Sequence, residues 1–311
     1  MKNIKENIEI TSMWLKSYVE KTGFKGFVLG LSGGIDSAVS LGLAVKAVGK
    51  ENVRCFALPC AAEGQQLRVE DEEDAKLVAE AFGVTLDTIN LGRTASVLFG
   101  GEITPMVGNS SKLVLPNIKA RLRMVTLRAL AEELGYLVLG TTNKTEEYLG
   151  YYTKAGDGGA GVDIEPIADF FKYEIRELAR ELGVPERIIT KAPSAGLWFD
   201  QTDEDEIGFK YDDIDKYLTI REDFTGGNNS NLGMFKKHIV KIDDKRDIKW
   251  QNIGHYMKET SKVKAAKIDE KLIDKVERMI VAGNHKRNNP PYFDRDNNYK
   301  AIDNLLEASY I

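Results

Sequence analysis

The sequence predicts an α/β protein, a doubly wound parallel sheet flanked by helices, on three observations. Apolar runs bounded by Gly, Pro or Asn alternate with longer amphipathic stretches, the pattern of βαβ units feeding a parallel sheet. The first apolar run ends in the glycine turn Ser32-Gly33-Gly34 and passes directly into a helical pattern. With 311 residues, 42% hydrophobic and 29% charged, the chain can bury a sizeable core as one elaborated domain, residues 1–311.

Each element has its own warrant. The opening MKNIKENIEITSMWLKSYVEK mixes charged and apolar residues at helical spacing, which predicts an amphipathic helix and not the continuous apolar stretch of a signal peptide. Strands are expected at Gly26–Leu31, Val53–Pro59, Val84–Leu91 and Tyr136–Thr141. Between them, helical patterns cover Ser37–Val48, Val69–Phe82 and Pro116–Leu134, the last opening on a proline suited to a first turn. Further helices are expected at Phe170–Leu182, Asp205–Leu218 and Asp269–Ala282. Tyr152–Asp163, with its GDGGAG centre, and Phe224–Gly233 read as loops. Lys236–Lys271 is rich in charge and reads as a solvated insertion.

Charge and composition narrow the partners. The 43 basic and 48 acidic residues give a net charge of −5 and are spread along the chain, so no basic tail argues for nucleic acid. No run approaches the length of a membrane span, and a cytoplasmic protein is expected. Cys55 and Cys60 form neither a CxxC nor a pairing with histidine of metal type and read as reduced thiols near a strand end. His238 and His255 are solitary and read as surface residues.

The sharpest motif is Ser32-Gly33-Gly34-Ile35-Asp36-Ser37. Glycines let the backbone turn tightly, and the amide groups at a helix head favour an anion, so phosphate is the natural occupant. The loop lacks the Gly-Lys-Ser/Thr ending that follows a transferring γ-phosphate and carries Asp36 instead. A carboxylate beside a polyphosphate is accommodated when Mg²⁺ lies between them, which points to ATP with pyrophosphate as leaving group. The plainer alternative, a strand-to-helix joint capped by Asp36, fits two glycines but not the whole string.

SGGxDS after a first strand resembles the N-type ATP pyrophosphatases, a superfamily with an adenine nucleotide alpha hydrolase-like fold. Further segments choose within it. Arg121 and Arg123 share one helix start; GTTNKTE brings Thr141 and then Glu146 to the end of a strand; GYYTKAGDG carries Lys154. Before any resemblance, Glu146 reads equally as a metal ligand or as a helix-head glutamate. Together with KAPSAGLW, QTDEDEIG and HKRNNPP, in this order, these segments closely resemble ammonia-dependent NAD synthetase over residues 1–218 and again at 285–291.

That resemblance implies a division of roles. Gly30, Leu31, Ser32, Gly33, Gly34, Ile35, Asp36 and Ser37 would cradle the ATP phosphates, joined by Thr141, Lys172 and Ser194. Asp36 and Glu146 would hold Mg²⁺, and these two with Lys172 would be catalytic. Arg121, Lys154, Asp163, His285 and Lys286 would contact deamido-NAD across a homodimer interface. The reaction implied is adenylation of the nicotinate carboxylate, then displacement of AMP by ammonia to give NAD. Three stretches depart from the family pattern: Pro59–Asp71 and the GDGGAGVD loop are extended, and Thr219–Lys271 is a family-atypical insertion.

Two rivals share the glycine turn. A tRNA-modifying adenylating enzyme needs a basic surface and, for thiolation, a reactive cysteine. A non-catalytic nucleotide-binding module has no use for Glu146, Lys154 and Lys172 together. No stretch outside residues 26–218 reads as a glutamine-hydrolysing domain, so free ammonia is the expected nitrogen donor unless a separate subunit delivers it.

Overall fold

The computed structural model describes residues 3–61, 69–98, 114–194, 201–225, 240–243, 246–248, 257–258, 260–283 and 286. Its centre is a parallel sheet of β1 (Phe27–Gly30), β2 (Val53–Ala57), β3 (Leu86–Thr88) and β4 (Leu137–Val138) in the order β3-β2-β1-β4. Phe27 lies opposite Val53 on one side and Leu137 on the other. The chain therefore winds outward from β1 to β3 and then returns to β1's other side, leaving a switch point between β1 and β4. Ile164 bridges Leu139 in parallel and extends that edge. β3 and β4 are shorter than expected as regular strands, although backbone bonds run on past them: the Ile89 and Leu91 amides donate to Ala57 O and Pro59 O, and the Leu139 amide to Val28 O.

Strand alternation sends side chains to two cores. Phe27, Leu29, Cys55, Leu137 and Leu139 pack on one face with α1 (Ile4–Thr22), α2 (Ile35–Val48) and α7 (Lys172–Leu182). Val28, Phe56 and Val138 face the opposite side and pack with Met124, Leu127 and Ala131 of α5 (Val114–Leu134). Between these elements in sequence lie α3 (Val69–Phe82), α4 (Gly92–Ser96) and α6 (Lys144–Leu149).

A further core gathers Tyr148, Leu149 and Phe171 with Tyr211, Ile214, Tyr217, Met257, Val263, Ile273 and Val276. It is built by α9 (Asp203–Ile207), α10 (Tyr211–Thr225), α11 (Ser261–Ala266) and α12 (Glu270–Ala282), which follow α8 (Glu186–Thr190). Two expectations are corrected here. The single helix at Asp205–Leu218 is two, because Gly208 ends the first with a left-handed φ of +85° and the second starts afresh at Tyr211. The charge-rich stretch ending at Lys271 is not wholly solvated, since Met257 and Val263 are buried in this core. Thr219 itself lies within α10. Val240–Asp243 and Arg246–Ile248 pair as an antiparallel hairpin, β5 and β6. His238, His255 and the loop beyond Thr225 lie outside the described residues.

Candidate functional site

The glycine turn sits at the switch point, where a parallel sheet receives ligands. Gly33 takes a φ of +77°, and a Cβ there would meet Asp71 O at 2.7 Å and Asp74 Cβ at 2.8 Å, so only glycine fits. α2 begins at Ile35, two residues earlier than expected, which places Asp36 in its first turn. Gly34 occupies the cap position and no side chain caps the helix head, so its leading amides remain for a ligand. Ser32 and Ser37 brace the turn: their hydroxyls lie 3.1 Å apart, the Gly34 amide donates to Ser32 Oγ at 3.2 Å, and Ser37 Oγ donates to Gly34 O at 2.9 Å.

Across the switch point, the chain leaving β4 passes Thr141 and enters α6 through a capping box. Asn143 Oδ1 accepts from the Glu146 amide at 3.0 Å, and Glu146 Oε2 accepts from the Asn143 amide at 3.2 Å. Asn143 also reaches over the gap, its Nδ2 donating to Asp36 Oδ1 at 2.9 Å. Lys172, the first residue of α7 and 2% exposed, then donates to Asp36 Oδ2 at 2.6 Å and to Glu146 Oε1 at 3.0 Å. Glu146 is thus both a helix-head glutamate and a partner of the central cation.

With both carboxylates ionised, the charges would not balance within this trio. Burial alone would lower the Lys172 ammonium, but Asp36 and then Glu146 outweigh it and hold the group charged. Burial pushes the Glu146 carboxyl up, Lys172 draws it back and Asp36 adds to the rise, leaving it at about 8. One ammonium satisfies only one of two carboxylates in a dry site, so Glu146 holds a proton at neutral pH that a cation of higher charge would displace. Among the described residues, no group of three or more His, Cys, Asp or Glu side chains could hold a metal by itself. Such an ion here needs the ligand's own oxygens.

The remaining expected residues fall into separate clusters. Arg121 Nε donates to Lys154 O at 3.3 Å, so those two meet. Lys286 donates to Gly150 O and Tyr152 O, both at 2.7 Å, fastening the chain's far end to the same glycine-rich loop. Asp163 points elsewhere: it pairs with Arg128 and accepts from the Val138 amide at 2.7 Å, bracing the edge of β4. Ser194 Oγ donates to Gln201 O at 2.6 Å, beside a network in which Gln201 Nε2 donates to Tyr151 OH at 3.1 Å. His285 lies outside the described residues.

Sequence reasoning passed over Asn143, though Asn-x-x-Glu before a helix is a readable capping signature. It also passed over Tyr211, whose ring lies 5.1 Å from Lys172 Nζ, and Asp215, which accepts from the Thr145 hydroxyl and the Tyr173 amide. Burial, opposed by those hydrogen bonds, leaves the Asp215 carboxyl at about 6. Neither residue carries a local signal. Cys55 is buried, which pushes its thiol up to about 12 and denies it the thiolate a sulfur-transfer enzyme uses.

An uncapped helix head at a sheet's switch point, beside a carboxylate pair joined by one cation, fits the class of ATP-using α/β nucleotide-binding enzymes. Comparison with known proteins narrows the class. A family model described as NAD synthase matches residues 7–247. The chain is 43% identical over 239 residues to the NH3-dependent NAD+ synthetase of Carboxydothermus hydrogenoformans, covering 77% of this chain and 93% of that one. To the NH3-dependent NAD+ synthetase of Pyrococcus horikoshii it is 37% identical over 273 residues, covering 88% and 90%. Among solved structures, an NMN synthetase from Francisella tularensis superposes with a TM-score of 0.70 at 29% identity, covering 94% of this chain and 99% of that chain. An NH3-dependent NAD synthetase from Campylobacter jejuni shares the fold, with a TM-score of 0.66 at 24% identity over 94% of this chain and all of that one. The chain belongs to the NAD synthase family. Among the described residues, no helix is long and apolar enough to cross a membrane.

Proposed function

We propose that this chain uses ATP to amidate deamido-NAD with ammonia, through an adenylated carboxylate, at the crevice between Asp36 and Glu146. The observation that carries the reading is Lys172 Nζ held by both carboxylates, 2.6 and 3.0 Å away, beside an uncapped α2 head. Asp36 and Glu146 are the residues that would hold Mg²⁺, being hard oxygen donors that converge on one point. When bound, the ion would screen the triphosphate and polarise the phosphoryl oxygens.

The chain's own residues do the rest. Residues Gly30–Ser37 receive the phosphates on backbone amides, with Thr141 and Ser194 contributing further ATP contacts. Lys172 stabilises negative charge on the phosphoryl oxygens while the nicotinate carboxylate attacks the α-phosphorus and the bond to pyrophosphate breaks. Ammonia then forms the C–N bond as the C–O bond to AMP breaks, and the nitrogen sheds its extra proton. Arg121, Lys154, His285 and Lys286 are assigned to deamido-NAD, whereas Asp163, taken up by Arg128 and the Val138 amide, braces β4. A homodimer accords with Val125, 67% exposed on the α5 surface one turn from Arg121.

The test is pyrophosphate release in the presence of ATP, Mg²⁺ and ammonium, with deamido-NAD or nicotinate mononucleotide as acceptor. Release that requires deamido-NAD, with a higher kcat/KM for it than for the mononucleotide, is the expected result. Preference for the mononucleotide would replace the substrate, and release with neither acceptor required would overturn the reading.

A further inference from the structure

Lys172 opens α7, yet Phe171 in the capping position has no oxygen to offer. Phe171 serves the helical core instead, buried and stacked with Tyr148 and Tyr173 at centroid distances of 6.3 and 6.1 Å. The first amides of α7 are therefore satisfied from other elements. The Lys172 amide donates to Thr145 Oγ1 at 3.0 Å, and the Tyr173 amide donates to Asp215 Oδ2 at 2.9 Å. The Thr145 hydroxyl donates in turn to Asp215 Oδ1. Thr145 is fully buried and Asp215 is 1% exposed, so water does not compete for these bonds.

A single carboxylate on α10 thus grips two backbone segments. One is residue 145, adjacent to Glu146; the other is the first turn of α7, which carries Lys172. No other described side chain joins those two segments through both of its oxygens. If this grip loosens, Lys172 Nζ loses its fixed place between Asp36 and Glu146.

We propose that Asp215 is a positioning residue for the reaction, acting through Thr145 and the head of α7 to hold Lys172 and Glu146 in register while touching no substrate. The proposal rests on the assignment of Asp36, Glu146 and Lys172 to the reacting site. It also gives the helical unit a task beyond burial, because α10 supplies the cap that α7 lacks.

The test uses the full-length enzyme and compares kcat and KM for pyrophosphate release per folded molecule, the folded fraction being set by equilibrium unfolding. Asp215→Asn keeps the shape but removes one acceptor. Its kcat is expected to fall roughly 10- to 100-fold, with KM for ATP changed less than about threefold, as a small misplacement of a reacting group does. Thr145→Val should lose as much, Thr145→Ser should restore kcat, and the double variant Asp215→Asn/Thr145→Val should be no worse than the worse single one. Should Asp215→Asn fail to fold, Thr145→Val and Thr145→Ser decide on their own.

An Asp215→Asn enzyme with near-normal kcat and only a lower unfolding midpoint would overturn the proposal, as would losses that multiply in the double variant. Lys172→Ala is measured alongside. An inactive Lys172→Ala beside an unimpaired Asp215→Asn rejects the positioning role alone, whereas an active Lys172→Ala removes the site assignment and the proposal together.

Discussion

The sheet region and the helical unit both place buried charge, but they compensate it differently. Around β1 and β4, Asp36 and Glu146 share one ammonium, and the crowding holds a proton on Glu146. In the helical unit, Arg221 Nε meets Glu277 Oε1 at 2.6 Å, and the Tyr217 hydroxyl donates to the same oxygen at 2.7 Å. The first arrangement sets two acids on one cation, while the second pairs one acid with one cation. Two crowded carboxylates beside uncapped amides mark function here; a one-to-one ion pair beside Tyr217 and Tyr148 marks structure.

The comparison breaks most easily at Asp36. Asp36→Ala is expected to lower kcat on the order of 10⁴-fold, about 5.5 kcal/mol on the barrier, with the unfolding midpoint little changed. Removing one of two crowded carboxylates relieves repulsion. Near-normal ATP-dependent turnover by this variant would show that the shared carboxylate has no catalytic use.

The reverse split is expected for the closed pair. Arg221 is 1% exposed, and Arg221→Met leaves Glu277 without its cation, at a stability cost of about 3 kcal/mol. Turnover per folded molecule should stay within about twofold, because Arg221 touches neither Asp36 nor Lys172. Urea unfolding and steady-state rates on one preparation check both halves. A loss of kcat as large as that of Asp36→Ala would erase the distinction between the regions.

Gly33→Ala sharpens the sheet side. Alanine must adopt φ +77° and meet the Asp71 carbonyl at 2.7 Å, so the turn has to shift. A stability loss of about 1–3 kcal/mol and a raised KM for ATP are expected together, measured by unfolding and initial rates. An unchanged KM would mean that this turn does not carry the phosphates.

How much of this was legible in the sequence depended on separation along the chain. The glycine turn and the Asn143 to Glu146 stretch were readable because their geometry is set within a few residues. The parallel sheet followed from alternating runs, although β3 and β4 came out shorter as regular strands, their cross-strand bonds running on to Leu91 and Leu139. Long-range pairings left no such trace: Asp36 meets Asn143 across 107 positions and Lys172 across 136. Lys172 entered the expected site only through family resemblance. Asp215 reads in sequence as one more acid on an amphipathic helix, and its burial comes from the packing of α10 on α6 and α7. Gly208 was a readable helix stop that was passed over, and it accounts for the split between α9 and α10.

The smallest expected effect tests charge in the glycine-rich loop, between the two regions. Glu165 accepts from the Gly159 amide at 3.1 Å, and burial first, then the Glu147 charge, raise its carboxyl to about 7. A folded-state value above the ordinary one means that the unfolded chain loses this proton first. Between about pH 4.5 and 7 the native state holds a proton that the unfolded state has released, so this group's stabilising contribution is full below that window and is lost as pH rises through it. Glu165→Gln keeps an oxygen for Gly159 and removes the titration. Relative to the parent, the variant should gain on the order of 1–3 kcal/mol between pH 5 and pH 8, read as a flatter profile of unfolding free energy against pH. Parallel profiles for the two proteins would place the Glu165 ionisation near its ordinary value, and the loop would then be held without a buried proton.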